Sequence, residues 1–387
     1  MPELKSLRLA GWKSIKGMET PLELRRLNVI IGANGAGKSN LLSYFKLLNE
    51  MVGERLQAFV GASGAESLLH DGAKSSPFIE ADLNFDVNGT PNRYFMRLVY
   101  GAVDTLFFSE ERIEFHRAGW NQPRVFVLGG GHRESLLRVK IMEGNLASLG
   151  RVQDAELQAA GRTAKLFQYL LSQCRVFHFH DTSAKAPIRQ SCYIDDNLHL
   201  RPDGGNAPAM LNAYRQGHPV VYERIVSAIR KVAPGFGDFD LEPRRLDPKS
   251  ILLNWRPRER SDLLFGPHQF SDGTLRAIAL TTLLLQPEAD LPALIVLDEP
   301  ELGLHPHAIG MIAGLLKAVS LKSQVIVATQ SAAFVDEFDV EDVLVAETAD
   351  GSSRFRRLDA EPLRDWLTEY SIGDLWRKNV IGGGPVA

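Results

Sequence analysis

The stretch Leu27–Ile31 runs straight into Gly32-Ala33-Asn34-Gly35-Ala36-Gly37-Lys38-Ser39. Leu27 to Ile31 is an apolar run that stops at a glycine, which reads as a buried strand feeding a tight turn. From Ser39 to Met51 the spacing changes to that of a helix. Leu41, Leu42, Phe45, Leu48 and Val52 form its apolar side. The eight residues Gly32 to Ser39 fit G-x-x-x-x-G-K-S, a pattern that needs a strand before it and a helix after it. Glycines let backbone N–H groups turn inward around phosphates, and the helix that follows points its positive end at them. In such a loop Lys38 bridges the β- and γ-phosphates and Ser39 ligates Mg²⁺. The competing reading is a glycine-rich turn carrying a solvated lysine, and the flanking strand and helix weigh against it.

A second motif lies near the other end of the chain. Ala293 to Pro300 reads ALIVLDEP: an apolar strand with two carboxylates at its C-terminal end. Ligands of open α/β sheets bind beyond the carboxyl ends of the strands. Asp298 is expected to hold Mg²⁺ through water, and Glu299 to polarise the attacking water; the two tasks differ, so two carboxylates are needed. Upstream, Phe270 to Arg276 reads FSDGTLR and opens a helix. By itself Ser271 is a helix cap, although serine and glycine at a helix start can also present a hydroxyl and bare N–H groups to a phosphate.

The rest of the chain fits around these motifs. Ile79, Ala81, Leu83, Phe85 and Val87 alternate with polar residues, Asn88-Gly89 supplies a turn, and Arg93 to Tyr100 returns. Leu106–Phe108, Ile113–Phe115 and Arg124–Leu128 extend this meander up to Gly129-Gly130-Gly131. Residues 145–233 read as mostly helical, broken near Arg175 to His180, with Gln153–Cys174 and Met210–Val232 the better helices. From Asp262 onward, helix alternates with short apolar strand: Ala277–Leu285, Leu294–Leu297, Ala308–Val319 and Val325–Ala328. That alternation means a parallel sheet. The expected class is α/β, with one parallel core sheet drawn from both ends of the chain, an antiparallel β lobe and a mostly helical insertion. The expected divisions are 1–130, 131–260 and 261–387.

Composition narrows the function. A formal charge of −3 argues against a protein that coats nucleic acid through overall basicity, though not against a local basic patch. Two cysteines, Cys174 and Cys192, suit a reducing compartment. The longest apolar stretch, near Ala277 to Leu285, is far shorter than a membrane span, and the N-terminus has no apolar core of the kind a signal peptide carries. A cytoplasmic protein without a membrane partner is expected.

GANGAGKSN, FSDGTLR, LDEPELGLHP and ATQS, in this order and spacing, resemble the ABC-class ATPases. They are most similar to the RecF, SMC and OLD group, especially its small members without long coiled coils. The resemblance covers Leu4 to Asn49 and Phe265 to Val345. It implies a P-loop NTPase head that binds ATP with Mg²⁺ and hydrolyses it. Gly32, Ala33, Asn34, Gly35, Ala36, Gly37, Lys38, Ser39 and Asn40 would form the P-loop, and Ser39 and Asp298 the metal site. Lys38, Glu299 and Gln330 would act on the γ-phosphate, Gln330 standing where a switch histidine is common. Ser271, Asp272 and Gly273 would reach across a homodimer to the partner's ATP. Glu301 to His305 fall at the D-loop, where His305 replaces a common aspartate. Trp12, Lys13 and Ser14 match a segment that lies near the nucleotide, with core packing an equal reading for Trp12. The glutamine of the Q-loop has no evident counterpart.

The resemblance also implies candidate roles: a dimerisation switch in DNA repair or anti-phage defence, with DNA as a partner. The alternative is a regulatory ATPase that holds a protein effector such as a nuclease or toxin. A transporter subunit fits the β lobe and long insertion poorly. OLD-like nucleases carry a further metal-binding domain after the head. Here the residues after Leu358 read instead as a helix with Glu361, Asp365, Glu369 and Asp374 on its wet side and Leu363, Trp366, Leu367, Leu375 and Trp376 docking on the head. Gly382-Gly383-Gly384 is expected to end order, and no nuclease activity is expected of this chain. His178, His180 and Asp181 invite a metal reading, as do His305 and His307, but a polar strand edge is the more ordinary meaning of the first group. Arg256, Arg258 and Arg260 read as a solvated basic face before a DNA contact.

Overall fold

Strands from both ends of the chain meet in one sheet. The computed structural model describes residues 2–115, 122–137 and 154–384. The chain opens with β1 (Glu3–Trp12), β2 (Ile15–Gly17), β3 (Leu22–Glu23) and β4 (Leu27–Ile31), followed by α1 (Lys38–Val52), α2 (Leu56–Ser63) and α3 (Ala65–Leu68). A meander follows: β5 (Phe78–Val87), β6 (Thr90–Gly101), β7 (Thr105–Phe115) and β8 (Arg124–Gly129). It joins β1 in the antiparallel order β2-β1-β5-β6-β7-β8, with β3 also on β1. The two short strands expected around Leu106 and Ile113 are one continuous strand, β7, whose pairing with β6 carries a bulge between Arg97 and Leu98.

The middle of the chain departs from expectation. Helix α4 (Asp154–Ser172) leads into β9 (Cys174–Phe177). Residues 145–152 and Gln153 of the expected helical stretch lie outside the described residues. The expected break near Arg175 is itself a strand of the core sheet: β9 pairs in parallel with Leu294–Leu297. Its four residues are too few for a period to show in sequence. After β10 (Cys192–Tyr193), the single helix expected over Met210–Val232 divides into α5 (Ala207–Gly217) and α6 (Pro219–Val232). Pro219 accounts for the break, since it lacks an N–H and sits at the first position of the new helix. Then come β11 (Phe236–Asp240), β12 (Ser250–Ile251) and β13 (Asn254–Pro257), arranged as two short ladders, β10 with β12 and β11 with β13. Among the described residues the insertion therefore adds short strands to its helices.

The C-terminal part supplies α7 (Asp272–Leu284), β14 (Leu294–Asp298), α8 (Pro306–Ser320), β15 (Gln324–Thr329), α9 (Ala332–Val335), β16 (Val343–Ala349), β17 (Ser352–Arg357) and α10 (Ile372–Arg377). The core sheet has the order β17-β16-β4-β15-β14-β9 and is parallel except for β17. Its central strands are buried on both faces, which is why they read as unbroken apolar runs. Val29, Ile295, Leu297, Val325 and Val327 pack with α5 to α8. Ile30, Val296, Ile326 and Ala328 face α1 and the β lobe.

The tail differs most from its expected form. Glu361–Leu363 and Trp366–Thr368 are isolated helical turns, and only Ile372–Arg377 is an α-helix, so the acidic residues do not share one helix face. Leu375 is buried, while Trp366 is 46% exposed. Gly382-Gly383-Gly384 does not end order. Ile381 is buried, and the Gly383 carbonyl accepts a hydrogen bond from Trp376 Nε1 at 3.1 Å. Gly383 adopts φ +69° and lies so close to the Gly32 end of the phosphate loop that an added Cβ would come within 2.7 Å of Val345.

Candidate nucleotide site

The parallel strands place four chain segments at one edge of the sheet: Gly32 after β4, Gln330 after β15, Asp298 at the end of β14 and His178 after β9. Carboxyl ends of parallel strands are where open sheets bind ligands. The loop that leaves β4 is built on glycine. A Cβ at Gly32 would lie 2.5 Å from the Ala346 carbonyl oxygen, and one at Gly37 would lie 2.0 Å from Ser353 Oγ. Gly37 also has φ +95° and caps α1 with no side-chain acceptor, leaving the first amides of the helix without an intrahelical partner. Asn34 and Gly35 form the exposed tip; Ala33 is half-buried and Ala36 buried.

Lys38 is buried and folds back over its own loop, Nζ donating to the carbonyls of Gly32 at 2.6 Å and Ala33 at 3.0 Å. Burial lowers its pKa, while Glu299, Asp298 and Glu301 oppose that shift. An ammonium surrounded by carbonyls and three nearby carboxylates suits a phosphate-binding cation. Ser39 Oγ donates to Asp298 Oδ2 at 3.1 Å, joining residues 259 positions apart in sequence. These are hard oxygen donors of the kind Mg²⁺ prefers. The glycine cradle, the uncapped helix start and this oxygen pair fit a nucleotide with its metal.

Glu299 stands beside them with φ +42°, a left-handed conformation that costs a non-glycine residue about 1–3 kcal/mol. Its amide donates to the Ala328 carbonyl at 2.8 Å, and Gln330 Nε2 donates to its Oε1. Glu301 is buried and accepts from Thr329 Oγ1 through Oε1; its Oε2 has no partner. Burial raises the Glu301 carboxyl to about 7, with Glu299 adding to the shift.

The start of α1 is pinned from behind. Trp12 Nε1 donates to the Asn40 carbonyl at 2.7 Å, Asn40 Nδ2 donates to Ser14 Oγ at 2.7 Å, and Ser353 Oγ donates to the same Ser14 oxygen at 2.7 Å. Trp12 is fully buried, so its packing and its place beside the loop are one arrangement. The Asn40 side chain is engaged with Ser14 in that network.

Ser271 and Asp272 bond to other partners. Ser271 caps α7, its Oγ accepting from the Thr274 amide at 3.2 Å. Asp272 is held by Arg189 at 2.9 Å. A Cβ on Gly273 would lie 2.5 Å from the Gly303 carbonyl oxygen, so glycine here lets the start of α7 approach the loop after β14. Ser271 and Asp272 are exposed.

Two arginines that sequence reading passed over tie these parts together. Arg189, buried, donates to the carbonyls of Thr182, Pro267 and Phe270 as well as to Asp272. Arg276 donates to the carbonyls of Phe179 at 3.3 Å, His180 at 3.0 Å and Leu302 at 2.9 Å. Arg276 was within the quoted FSDGTLR stretch, but nothing in its spacing names its carbonyl partners. The histidines after β9 have a similar place: His180 Nε2 donates to the Asp298 carbonyl at 2.8 Å. Burial lowers the His178 pKa while Asp298 opposes the shift. His305 caps α8, its Nδ1 accepting from the His307 amide at 3.3 Å. Among the described residues no group of three or more His, Cys, Asp or Glu side chains could hold a metal. Arg256 pairs with Asp240 and Arg260 with Asp262.

Solved structures share this architecture. The SMC head bound to the C-winged helix domain of ScpA is 16% identical, with a TM-score of 0.58 over 94% of this chain and 99% of that one. The SMC head with an extended coiled coil bound to the C-terminal domain of ScpA, from Pyrococcus furiosus, gives 16% and 0.54 over 95% and 99%. The SMC head with a coiled coil and joint from Pyrococcus yayanosii gives 13% and 0.52 over 95% and 99%. At these identities the likeness establishes the fold, that of an ABC-type ATPase head. No curated protein matches the sequence. A family model matches residues 27–135 and 227–336, more than half of the chain, so this protein belongs to the family described as "AAA domain, putative AbiEii toxin, Type IV TA system".

Proposed function

We propose that this chain binds and hydrolyses ATP and works as a homodimer with two ATP molecules sandwiched between its heads. The contact between Ser39 Oγ and Asp298 Oδ2 carries the reading, because it unites the phosphate loop and the acidic strand end in one place. The loop amides and Lys38 would hold the phosphates. Ser39 and Asp298 would hold Mg²⁺, which when bound neutralises charge on the β- and γ-phosphate oxygens. Glu299, oriented by Gln330, would accept a proton from the attacking water. Gln330 can donate a hydrogen bond but carries no charge, so it orients and does not titrate. Ser271 and Gly273 would complete the site on the partner's ATP. The exposure of Ser271 and Asp272 at the start of α7 supports that division.

For the biological role, we read the switch as acting in anti-phage defence or DNA repair; the family description names a putative toxin of a type IV TA system. A second reading, a regulatory ATPase that holds a protein effector, draws on the SMC heads solved with a ScpA domain bound. Sedimentation of Glu299→Gln with ATP and Mg²⁺ tests the dimer. The variant should sediment as a dimer with ATP and as a monomer without it; a monomer in both conditions would end the sandwich reading.

A further inference from the structure

A cavity of about 920 Å³ opens at the far end of α1, between that helix, α4, β9 and the segment around Leu200. It is distinct from the phosphate loop. An α-helix rises about 1.5 Å per residue, so Lys46 and Asn49 lie about 12 and 16 Å along α1 from Lys38. The spacing of Lys165, Tyr169 and Ser172 places them on one face of α4, and all three line the cavity.

Its charge is one-sided. Among the described residues, Lys46, Arg55, Lys165, Arg175 and Arg201 line it against a single carboxylate, Glu50. Glu50 is already engaged with Arg55, and Arg201 is paired with Asp196, which lies outside the lining. Among the described residues no carboxylate pairs with Lys46, Lys165 or Arg175. Arg175 is the unusual member: it is half-buried on a strand of the core sheet, and burial lowers its pKa. A half-buried guanidinium without an anionic partner is costly unless something else supplies the charge. The two histidines of the lining, His178 and His199, have lowered pKa values, burial being the main cause in each. The floor is apolar, formed by buried Val176, Phe177 and Leu200, and Tyr169 stands 55% exposed at the rim.

We infer that this cavity is a binding site for a small phosphate ester of nucleotide size, its phosphate held by Arg175, Lys165 and Lys46 and its ring on the apolar floor beside Tyr169. The volume lies in the range of small-molecule sites, about 300–1,000 Å³. The cations surround one cavity, whereas sites for single-stranded nucleic acid track a backbone along a groove. His178 borders this cavity and follows β9, on the same carboxyl edge of the sheet as Asp298.

The test uses the full chain carrying Lys38→Ala, which disables the phosphate loop and leaves this cavity intact. AMP, inorganic pyrophosphate and a short single-stranded oligonucleotide are titrated separately by calorimetry, and AMP again in the presence of pyrophosphate. The expected result is one equivalent of AMP bound per chain, weakened by about tenfold or more when Arg175→Glu is added, as loss of a charged hydrogen-bond partner implies. Lys165→Glu, at an exposed rim position, should weaken AMP similarly and keeps the test decisive if the Arg175 variant does not fold. Pyrophosphate should compete with AMP, since both offer phosphate to the same cations. Absence of AMP binding, binding indifferent to both charge reversals, or binding of the oligonucleotide alone would overturn the proposal. Failure of the phosphate-loop reading would appear separately, as wild-type protein that does not bind ATP.

Discussion

The carboxyl edge of the core sheet and the start of α7 are both rich in residues suited to phosphate chemistry, yet the fold treats them differently. At the sheet edge, Lys38, Ser39, Asp298, Glu299 and Gln330 touch one another or their neighbouring carbonyls. At α7, Ser271 and Asp272 are exposed, and their partners are Thr274 and Arg189, which belong to the scaffold. On the proposed reading, one half of a site is assembled within the chain and the other faces outward. Arg276 and Arg189 keep that outward half in register with the histidines after β9 and the loop after β14. On the sandwich reading proposed above, a complete site needs a second copy.

The largest expected effect is on the assembled half. Glu299→Gln should lower ATP turnover by about 10²–10⁴-fold, as loss of a positioned general base does, while ATP binding persists. Steady-state phosphate release with parallel nucleotide binding measures both, and near-normal turnover would remove Glu299 from its role. Lys38→Ala should weaken ATP binding by about 10–100-fold, the loss expected for hydrogen bonds from a charged donor. Equilibrium binding of a fluorescent ATP analogue checks this; wild-type affinity would show that the loop does not hold the phosphates.

Glu301 supplies a pH test within the same half. Its folded-state pKa of about 7 lies above the ordinary carboxyl value of 4.5. A raised pKa means the folded state binds the proton more tightly than the unfolded chain does. The stabilisation is therefore complete below about 4.5 and is lost as pH rises through 7. Glu301→Gln, which cannot ionise, should be more stable than wild type at pH 8, by up to about 3 kcal/mol. The two should converge below pH 5. Thermal unfolding across that range reads the gap; a constant gap would show that Glu301 is ionised throughout. A smaller effect is expected at the link between halves. Arg276→Met removes three hydrogen bonds to carbonyls and should cost about 1–3 kcal/mol in chemical denaturation. Unchanged stability would mean that α7 keeps its place without the arginine.

How much was legible in sequence follows the same division. The strand, glycine turn and helix from Leu27 to Val52 were readable because each signal is local: apolar run, turn glycines, then a 3.6 period. The ALIVLDEP strand was readable for the same reason. What escaped depends on contacts far apart in the chain. β9 is four residues long and gains its identity only from pairing with β14. His180 meets Asp298 across 118 positions, and Arg276 meets Phe179 across 97. Glu301 was placed only as the first residue of the D-loop stretch, because burial leaves no mark in sequence. The glycines at 382–384 suggested the end of order, since composition does not show that Gly383 packs against Val345 and the phosphate loop.

The division between an assembled half and an outward half is tested most directly by mixing two inactive proteins. Lys38→Ala lacks a working phosphate loop, and Ser271→Arg blocks the outward face of α7. In a heterodimer, the loop of the Ser271→Arg chain meets the α7 of the Lys38→Ala chain, and that one site is intact. Sites shared between copies predict that the mixture recovers a substantial fraction of wild-type turnover per heterodimer, while each protein alone stays inactive. If the heterodimers are shown to form and turnover does not recover, each site is complete within a single chain and the central claim fails.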